Sequence, residues 1–536
     1  MSLSFFDVNG RIGFPSKGNP EFPTAEALLD HLDSLGVSRS LTWHIGARDV
    51  NASWGNEQLL QEIRQTPRAL GRIIPALVLS PALFHERDGI EHLRESLANK
   101  EAKALRCFPA HLNHALSHLE SAIDAVSEFR PVLLFDCRSL LAQDSLSSIA
   151  SRFPQLDIVY TNASWAQYVT VLDLMERHQN IYADISWLHV CGAIENLARK
   201  FGPERLVFGL GHKSNNGASI LDLTESRLED SAREKIANGN LERLLEISPA
   251  EINPKNTKGE LWNSLISRQS SPVEIIDAHG HLGAFPTWML ERQQISDQAE
   301  DLLERMDRLN IRKMILSGSQ ALFGDPLAGN IFVEEAAAHY PERFLGYFVF
   351  NPHYHEILTP HFDEFFSRRF FVGFKLLSSY WEVPVTDPQY SAAWEYADAH
   401  RLPILLHTWD DPYDFPALLT EIVSKYKNAF FILGHSGGSD RGLAAALELA
   451  RNNDNVFLEW CGSYQMTVPY EEVFAELGAD RVIFGTDAAL HSPAWELGRF
   501  ASLSVSDEAL TPALGANIQR ILASRRPISL KKDNLG

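Results

Sequence analysis

Short apolar runs bounded by turn residues recur along the second half of the chain, with stretches of helical periodicity between them. The runs are continuously apolar rather than alternating, which is typical of parallel strands buried on both faces. We predict strands at residues 274–278, 313–316, 344–350, 371–377, 403–407, 429–434, 456–460 and 481–485. Eight strand-then-helix units in a segment of this length predict a (β/α)8 barrel of the TIM type.

The first half of the chain gives a similar but less regular series of apolar runs. Predicted strands there include residues 40–43, 72–77, 131–135, 157–160, 181–185 and 206–209. Segments of the two halves also match one another in the same order, and the offset in residue number between matching segments rises only from 270 to 277. The matching pairs are 5–13 with 275–283, 131–135 with 403–407, 207–209 with 483–485, and 240–245 with 517–522. The sequence therefore predicts a tandem duplication of one α/β fold, two (β/α)8 barrels in a row.

The duplication sets the domain boundaries that we expect. Residues 1–250 form the first barrel and residues 273–524 form the second. Residues 251–272 include a polar stretch with proline and glycine, which is typical of a linker. Residues 525–536 are expected to be a loose tail.

Composition narrows the classes of partner. The 536 residues are 45% hydrophobic and 22% charged, as in soluble globular proteins, and the formal net charge of −21 argues against nucleic acid and against an anionic membrane surface. No signal peptide and no apolar run of membrane-spanning length is expected. The four cysteines are scattered without a CxxC motif, so we predict a cytoplasmic protein.

Side chains that could carry chemistry stand at the ends of the predicted strands in the second half. His279 and His281 follow the first strand with one residue between them, so strand periodicity points both imidazoles to one face. His407 ends the fifth strand, His435 the sixth and Asp487 the eighth. Function gathers at these strand ends in such barrels. Imidazole and carboxylate ligands suit one divalent metal, Zn²⁺ first, with Mn²⁺ or Fe²⁺ as alternatives.

These motifs resemble the amidohydrolase superfamily, in particular the amidohydrolase-related branch that includes aminocarboxymuconate semialdehyde decarboxylase. The His-x-His pair, the strand-five histidine, the strand-six His-Ser-Gly-Gly and the strand-eight Gly-Thr-Asp stand in the family's order. The resemblance implies that His279, His281, His407 and Asp487 hold the metal. It also implies that His435 acts beside the metal as an acid/base or polarising group. On chemical grounds, we expect the carboxylate of Asp487 to act also as a catalytic proton shuttle.

Three further residues are candidate substrate contacts. Lys375 ends the fourth predicted strand, and Trp409 and Asp410 follow His407 directly. Some members of the superfamily that the chain resembles carry a carboxylated lysine at the fourth strand, bridging two metals. In its close relatives one metal is used and this lysine only lines the site. Whether Lys375 is carboxylated stays open at this point.

The expected function is a metal-dependent hydrolase that uses a metal-activated water on an amide, ester or lactone of a small organic molecule. A metal held by neutral imidazoles lowers the pKa of its bound water toward ~7. One alternative is a metal-dependent non-oxidative decarboxylase of an aromatic or unsaturated carboxylic acid, because the same ligands serve both reactions. Another alternative is a non-catalytic metal-binding scaffold. The substrate is not identified by the sequence.

The aligned positions of the first half carry other residues. Asn9 and Arg11 replace the histidine pair, Phe135 replaces the strand-five histidine, Asn162 the strand-six histidine and Gly211 the aspartate. Asn and Arg are poor Zn²⁺ ligands, so we expect a degenerate barrel without a catalytic metal. Relatives in the branch are commonly dimers. We therefore hypothesise an intramolecular pseudo-dimer of barrels, and a homodimer of the whole chain stays open.

Overall fold

The chain divides into two units, Met1–Lys258 and Gly259–Gly536. The computed structural model describes residues 3–112, 114–140, 146–215, 217–249, 252, 254, 256–284, 295–462 and 470–528. The end of the predicted tail, residues 529–536, lies outside the described residues. Among the residues that are described, no helix combines the length and the apolar character needed to cross a membrane.

The first unit contains an eight-stranded sheet in which every neighbouring pair is parallel and the strands follow one another in chain order. The strands are β1 (Phe5–Ile12), β2 (Val37–His44), β3 (Ile73–Val78), β4 (Ala104–Cys107), β5 (Val132–Asp136), β6 (Ile158–Thr161), β7 (Ile181–Asp184) and β8 (Leu206–Val207). Val8 N donates to Phe208 O at 3.0 Å, so β1 meets the chain that follows β8 and the sheet nearly closes into a barrel.

The second unit repeats this topology. Its strands are β9 (Ile275–Leu282), β10 (Ile311–Gly318), β11 (Phe344–Val349), β12 (Phe371–Leu376), β13 (Pro403–His407), β14 (Phe430–Gly434), β15 (Val456–Trp460) and β16 (Val482–Phe484). Asp487 N donates to His279 O at 2.7 Å and Ala489 N donates to His281 O at 3.1 Å. The segment after β16 therefore closes the barrel against β9, and the predicted tandem of (β/α)8 barrels is confirmed.

Helices follow the strands in both units. In the first unit they are α1 (Ala25–Leu35), α2 (Gly46–Asp49), α3 (Ala52–Gln65), α4 (Gly89–Ala98), α5 (Leu116–Val126), α6 (Leu146–Arg152), α7 (Tyr168–Arg177), α8 (Ala193–Phe201), α9 (Ala218–Glu225), α10 (Asp230–Glu234) and α11 (Asn240–Leu244). In the second unit they are α12 (Glu260–Ile266), α13 (Ile295–Leu309), α14 (Ser319–Phe323), α15 (Pro326–His339), α16 (His355–Leu358), α17 (Phe362–Ser367), α18 (Ser378–Trp381), α19 (Ser391–His400), α20 (Thr420–Lys425), α21 (Asp440–Asn452), α22 (Glu471–Leu477), α23 (Pro493–Ala501), α24 (Asp507–Leu510) and α25 (Asn517–Ala523).

The helix α1 shows how local sequence sets these elements. The Thr24 side chain accepts a backbone N–H of the first turn, and Gly36 ends the helix with a φ of 81°, a conformation that glycine adopts without a steric penalty. Leu28, Leu32 and Leu35 recur at helical spacing and are buried. Burying this apolar face holds the helix on its sheet.

The interior of the second barrel is filled by at least one apolar or aromatic side chain from every strand, packed with two side chains of α25. These residues are Ile276, Ala278, Ile315, Tyr347, Val372, Leu405, Ile432, Phe457, Ile483, Ile518 and Ile521. The core occupies the centre and leaves the carboxyl ends of the strands for polar groups.

The duplication extends to individual hydrogen bonds. In the first unit Asn240 Nδ2 donates to Pro203 O at 2.7 Å and to Leu206 O at 2.8 Å. At the matching position, Asn517 Nδ2 donates to two carbonyl oxygens at 2.8 Å, those of Ala479 and Val482. Each asparagine begins the last helix of its barrel and ties it to the final strand.

Two details differ from the sequence-based expectations. Residues 251–272, predicted as a linker, contain α12, in which Leu261, Trp262 and Leu265 are buried. This helix is only seven residues long, so its apolar face gave too short a pattern to detect. In addition, β9 continues to Leu282, so His279 and His281 lie inside the strand instead of after it.

Candidate functional site

The strand β9 brings two imidazoles to the mouth of the second barrel. His279 and His281 are 1% and 4% exposed, and their alternate positions put both side chains on the inner face. The buried carboxyl group of Asp277 lies below them. Its Oδ1 accepts from His279 N at 3.0 Å and from Thr486 N at 3.1 Å. Asp277 thus joins β9 to the segment after β16 and fixes the backbone that carries the imidazoles.

A carboxylate closes this cluster. Asp487 Oδ1 lies 2.7 Å from His281 Nε2 and 3.5 Å from His279 Nε2. The ligand atoms of these three buried residues all lie within 4.8 Å of one another, a spacing at which they could hold a metal ion. The structure therefore brings together three of the four metal ligands that the resemblance implies.

The other two predicted histidines lie beside this cluster. The ring centroid of His435 is 5.3 Å from that of His279 and 5.0 Å from that of His407. His407 is 9% exposed and stands at the end of β13. Among the described residues, His407 is not in the group of three whose ligand atoms already lie within 4.8 Å. Its assignment as fourth ligand therefore stays a prediction.

Each of three imidazoles has its Nδ1 atom in contact with a buried neighbour. His281 Nδ1 lies 2.8 Å from the hydroxyl oxygen of Ser317, and His407 Nδ1 lies 2.8 Å from an oxygen of Asp414. Glu459 Oε2 lies 3.4 Å from His279 Nδ1. Such contacts fix the ring orientation and leave Nε2 for a metal or a substrate.

The donor set fits a divalent cation. Burial lowers the pKa of His281, and it lowers that of His279 well below the ordinary value, so both imidazoles are neutral at neutral pH. Neutral imidazole is the form that binds a metal. Two or three imidazoles with one carboxylate suit Zn²⁺, Mn²⁺ or Fe²⁺.

Lys375 adds a buried cation to the site. It lies on β12, is 1% exposed, and its Nζ is 2.7 Å from His279 Nε2. Burial lowers the pKa of this ammonium group. The contact occupies the nitrogen of His279 that faces Asp487, so Lys375 lies within the site, and its role as a substrate contact stays a prediction.

Trp409 and Asp410, the other candidate substrate contacts, have different neighbours in the structure. The Trp409 ring stacks on His407, with centroids 5.8 Å apart and planes at 18°, and so lines the site. Asp410 instead accepts from Arg441 Nε at 2.8 Å and from Ser439 Oγ at 2.9 Å. Its carboxylate is engaged at the start of α21, away from the imidazoles.

Two contacts of the candidate site were missed from the sequence. Asp414 stands seven residues after His407, in the run Trp-Asp-Asp-Pro-Tyr-Asp. The sequence gives no reason to choose it over the other two aspartates of this run as the partner of His407. Cys461 was noted only as a scattered cysteine, yet its Sγ lies 3.3 Å from His279 Nδ1. Only its position two residues after Glu459 could have signalled this, because alternate residues of a strand share a face.

The first barrel keeps the backbone of the site with different side chains. Asn162 has a φ of 58° where His435 has 64°, and Gly211 has 73° where Asp487 has 58°. Non-glycine residues are uncommon in this left-handed region and concentrate at functional sites. Matching positive φ values at both positions indicate that the two mouths descend from one site.

Polar contacts fill the mouth of the first barrel. Asn9 Nδ2 donates to Asp184 and, at 3.1 Å, to Ser186 Oγ. The buried Arg106 Nη2 donates to Asn9 Oδ1 at 3.1 Å, from the strand that corresponds to the one carrying Lys375. Phe135, at the strand-five position, is fully buried in the core. Arg11 pairs with Glu21.

Comparison with known protein families finds one that matches the second barrel. Residues 276–523 match the model of a family described as amidohydrolase. No curated protein matches the chain.

Solved structures with which the chain shares similarity include three decarboxylases. The 2,6-dihydroxybenzoate decarboxylase from Rhizobium is 18% identical, with 47% of this chain and 99% of that chain covered at a TM-score of 0.38. A dihydroxybenzoic acid decarboxylase from Polaromonas sp. JS666, with bound manganese and the inhibitor 2-nitroresorcinol, is 19% identical, with 47% and 97% covered at 0.37. The 5-carboxyvanillate decarboxylase from Sphingomonas paucimobilis is 13% identical, with 47% and 99% covered at 0.36. The match to the amidohydrolase family thus spans most of the second barrel and includes the candidate site.

Proposed function

We propose that the second barrel is a metal-dependent hydrolase that acts on an amide, ester or lactone of a small organic molecule. The observation that supports it is the convergence of His279, His281 and Asp487 on one point at the barrel mouth, with His435 beside them. We propose Zn²⁺ as the ion, with Mn²⁺ or Fe²⁺ as alternatives, and His407 as the fourth ligand.

The side chains around that point can perform the proton transfers of hydrolysis. When bound, the ion supplies Lewis acidity, which lowers the pKa of a coordinated water toward ~7. Asp487 offers a carboxylate that accepts a proton from the attacking water. His435 Nδ1 lies 3.1 Å from the carbonyl oxygen of Cys461, so Nδ1 carries the proton and Nε2 faces the site as an acceptor.

The charge state of His435 fits this role. Burial, with the neighbouring His407, lowers the pKa of His435 well below the ordinary value, so the ring is neutral at neutral pH. A neutral ring can take a proton during the reaction and return it to the leaving group. In the free enzyme it also adds no positive charge beside the metal position.

Non-oxidative decarboxylation of an aromatic or unsaturated carboxylic acid is the second candidate. The observation that favours it is the buried Lys375 ammonium, 2.7 Å from His279 Nε2. A buried cation next to a metal position provides two positive groups, which could neutralise the carboxylate of a bound acid. An amide or a neutral ester needs no such second cation.

The experiment that tests the proposal measures metal content first. Plasma mass spectrometry on the purified full chain should find one divalent ion per chain, lost in the His279→Ala/His281→Ala variant. A wild type that holds no ion after reconstitution with Zn²⁺ or Mn²⁺ would rule out both metal-dependent reactions and leave a scaffold without a metal. That alternative also predicts that Asp487→Ala changes no turnover.

Turnover in ¹⁸O-labelled water then separates the two reactions. A hydrolase inserts one labelled oxygen into its acid product. A decarboxylase releases CO₂ and leaves the organic product without solvent oxygen, and that outcome would replace hydrolysis by the second candidate. The screen should therefore contain neutral lactones and amides together with aromatic carboxylic acids.

A further inference from the structure

A second cluster of four buried donor groups includes His279 and lies on the side of its ring that faces away from Asp487. They belong to His279, His435, Glu459 and Cys461, and one ligand atom from each lies within 4.8 Å of all the others. Of these four residues, only His279 is also in the group with His281 and Asp487. The barrel mouth therefore contains two donor sets that share one imidazole.

The two nitrogens of His279 point into different sets. Its Nε2 lies 3.5 Å from Asp487 Oδ1, whereas its Nδ1 lies 3.3 Å from Cys461 Sγ and 3.4 Å from Glu459 Oε2. Cys461 Sγ is also 3.6 Å from His435 Nδ1. Separations of this size between donor atoms fit ligands arranged around one small cation.

Local sequence explains why these groups meet. Glu459 lies near the end of β15 and Cys461 stands two residues later, so both side chains point to the inner face. Gly462 follows with a φ of 105°, and a Cβ there would come within 2.5 Å of His435 Nδ1. Only glycine at this position lets the histidine approach the strand end so closely.

We propose that His279, His435, Glu459 and Cys461 form a second metal position, selective for thiophilic divalent ions such as Zn²⁺, Co²⁺ or Cd²⁺. A thiolate and a carboxylate offset the two charges of the ion, and Nδ1 of His279 and Nδ1 of His435 complete a four-coordinate set. When both positions are filled, His279 bridges the two ions as an imidazolate, and His435 binds as the tautomer with its proton on Nε2. Sulfur donors favour such ions over Mg²⁺ or Mn²⁺, which prefer oxygen. Binding forms a metal–sulfur bond and releases the thiol proton to the buffer, and with the first ion already on Nε2 it also releases the Nδ1 proton of His279.

The position fills after the first one. Once His279 binds the first ion through Nε2, a second ion must displace the Nδ1 proton of the same ring as well as the thiol proton of Cys461. The second ion therefore binds at a higher free metal concentration.

Cobalt titration of the metal-free full chain tests this proposal. Thiolate-bound Co²⁺ gives a near-ultraviolet sulfur-to-cobalt charge-transfer band, which a site made only of nitrogen and oxygen ligands lacks. We expect the band to develop with the second ion in the wild type and to be absent in Cys461→Ser, which still binds the first ion. Cys137→Ser, whose thiol lies in the first barrel, is the matched control and should keep the band.

A His281→Ala variant separates this proposal from the proposed function. His281 belongs only to the set with Asp487, so this variant should lose the first ion and keep the charge-transfer band. Loss of the band in His281→Ala would mean that the thiol binds only as part of the first position, and it would overturn the proposal. If His281→Ala loses only the first ion, the result supports the second position, whatever reaction the enzyme catalyses.

A measurement on the wild type covers the case in which Cys461→Ser does not fold. X-ray absorption of protein loaded with two Zn²⁺ per chain should show a sulfur scatterer at about 2.3 Å. Spectra with nitrogen and oxygen neighbours only, at full loading, would overturn the proposal. So would a cobalt band that persists in folded Cys461→Ser.

Discussion

His407 Nδ1 lies 2.8 Å from Asp414 Oδ2, and this contact decides which nitrogen of His407 faces the other imidazoles. Asp414 is fully buried and is itself held in place. Its Oδ1 accepts from Trp409 N at 3.0 Å, and its Oδ2 accepts from Ser379 Oγ at 2.9 Å. Asp414 is therefore a positioning residue that orients the ring and fixes its tautomer.

Replacing Asp414 with asparagine should weaken metal binding at the site by about 10–100-fold, because the ring of His407 loses its ionic partner. Competition with a chromogenic chelator measures the affinity, and the ring signals of His407 in an NMR spectrum report its tautomer. Asp387→Asn, at a helix start remote from the imidazoles, is the matched control. Equal affinities in Asp414→Asn and wild type would contradict both the positioning role and His407 as a ligand.

A second prediction concerns Lys375, whose Nζ occupies His279 Nε2 at 2.7 Å. A metal needs that same nitrogen and is repelled by the ammonium charge. Lys375→Met keeps the chain length but removes the charge, so we expect the variant to bind its ion at least about tenfold more tightly, or ~1.4 kcal/mol. Isothermal titration calorimetry measures this, with the exposed Lys427→Met as control.

The stoichiometry in the same titration addresses the chemical state of Lys375. A carboxylated lysine would bridge two ions, so Lys375→Met would bind one ion fewer than the wild type, whereas the position at Cys461 is present in both proteins. Weaker binding with a lost ion would therefore contradict the charge-repulsion argument and favour the carboxylated form.

The sequence was sufficient for the barrel because its strands are buried on both faces and read as uninterrupted apolar runs. The strand β13 falls at the predicted residues, and β14 begins only one residue later than expected. The pattern could not show that β9 continues through His279, because polar side chains at a strand end look like the start of a loop.

The candidate site was only partly predictable for a related reason. Residues at strand ends, such as His279 and Asp487, follow from motif and position. Asp414 reaches the imidazoles from a loop segment, and its placement depends on tertiary packing that local sequence does not encode. Cys461 stands just after β15, and its spacing of two residues from Glu459 was the local signal for its position. Asp410 shows the opposite case. It closely follows His407 in sequence, but its carboxylate pairs with Arg441 and not with an imidazole of the site.

A third prediction concerns the role of the first barrel, which we propose is a built-in partner of the second. Residues 259–536 expressed alone should then be less soluble or melt at a lower temperature than the full chain. Light scattering and calorimetry on the two proteins, together with kcat/KM, measure the difference. An isolated second unit with unchanged melting temperature and kcat/KM would contradict the proposal.

A fourth prediction follows from Asp184 in the mouth of the first barrel. Burial raises the pKa of Asp184 from 3.8 to about 6, although Ser186 and Asn162 donate hydrogen bonds to its carboxylate. Between these two values the folded protein holds a proton that the unfolded chain has released. The stability of the first barrel should therefore fall as the pH rises from 4 to 6, by up to about 3 kcal/mol.

Replacing Asp184 with asparagine removes the titrating group and should flatten this part of the stability profile. The absolute stability of the variant also changes, because the amide of asparagine presents a donor to Ser186 N, so the slope is the informative quantity. Scanning calorimetry between pH 4 and 7 on wild type and variant gives both slopes, with the surface substitution Asp173→Asn as control. Parallel profiles for the wild type and Asp184→Asn would show that the carboxyl group is already ionised at pH 4, and that its hydrogen bonds outweigh the effect of burial.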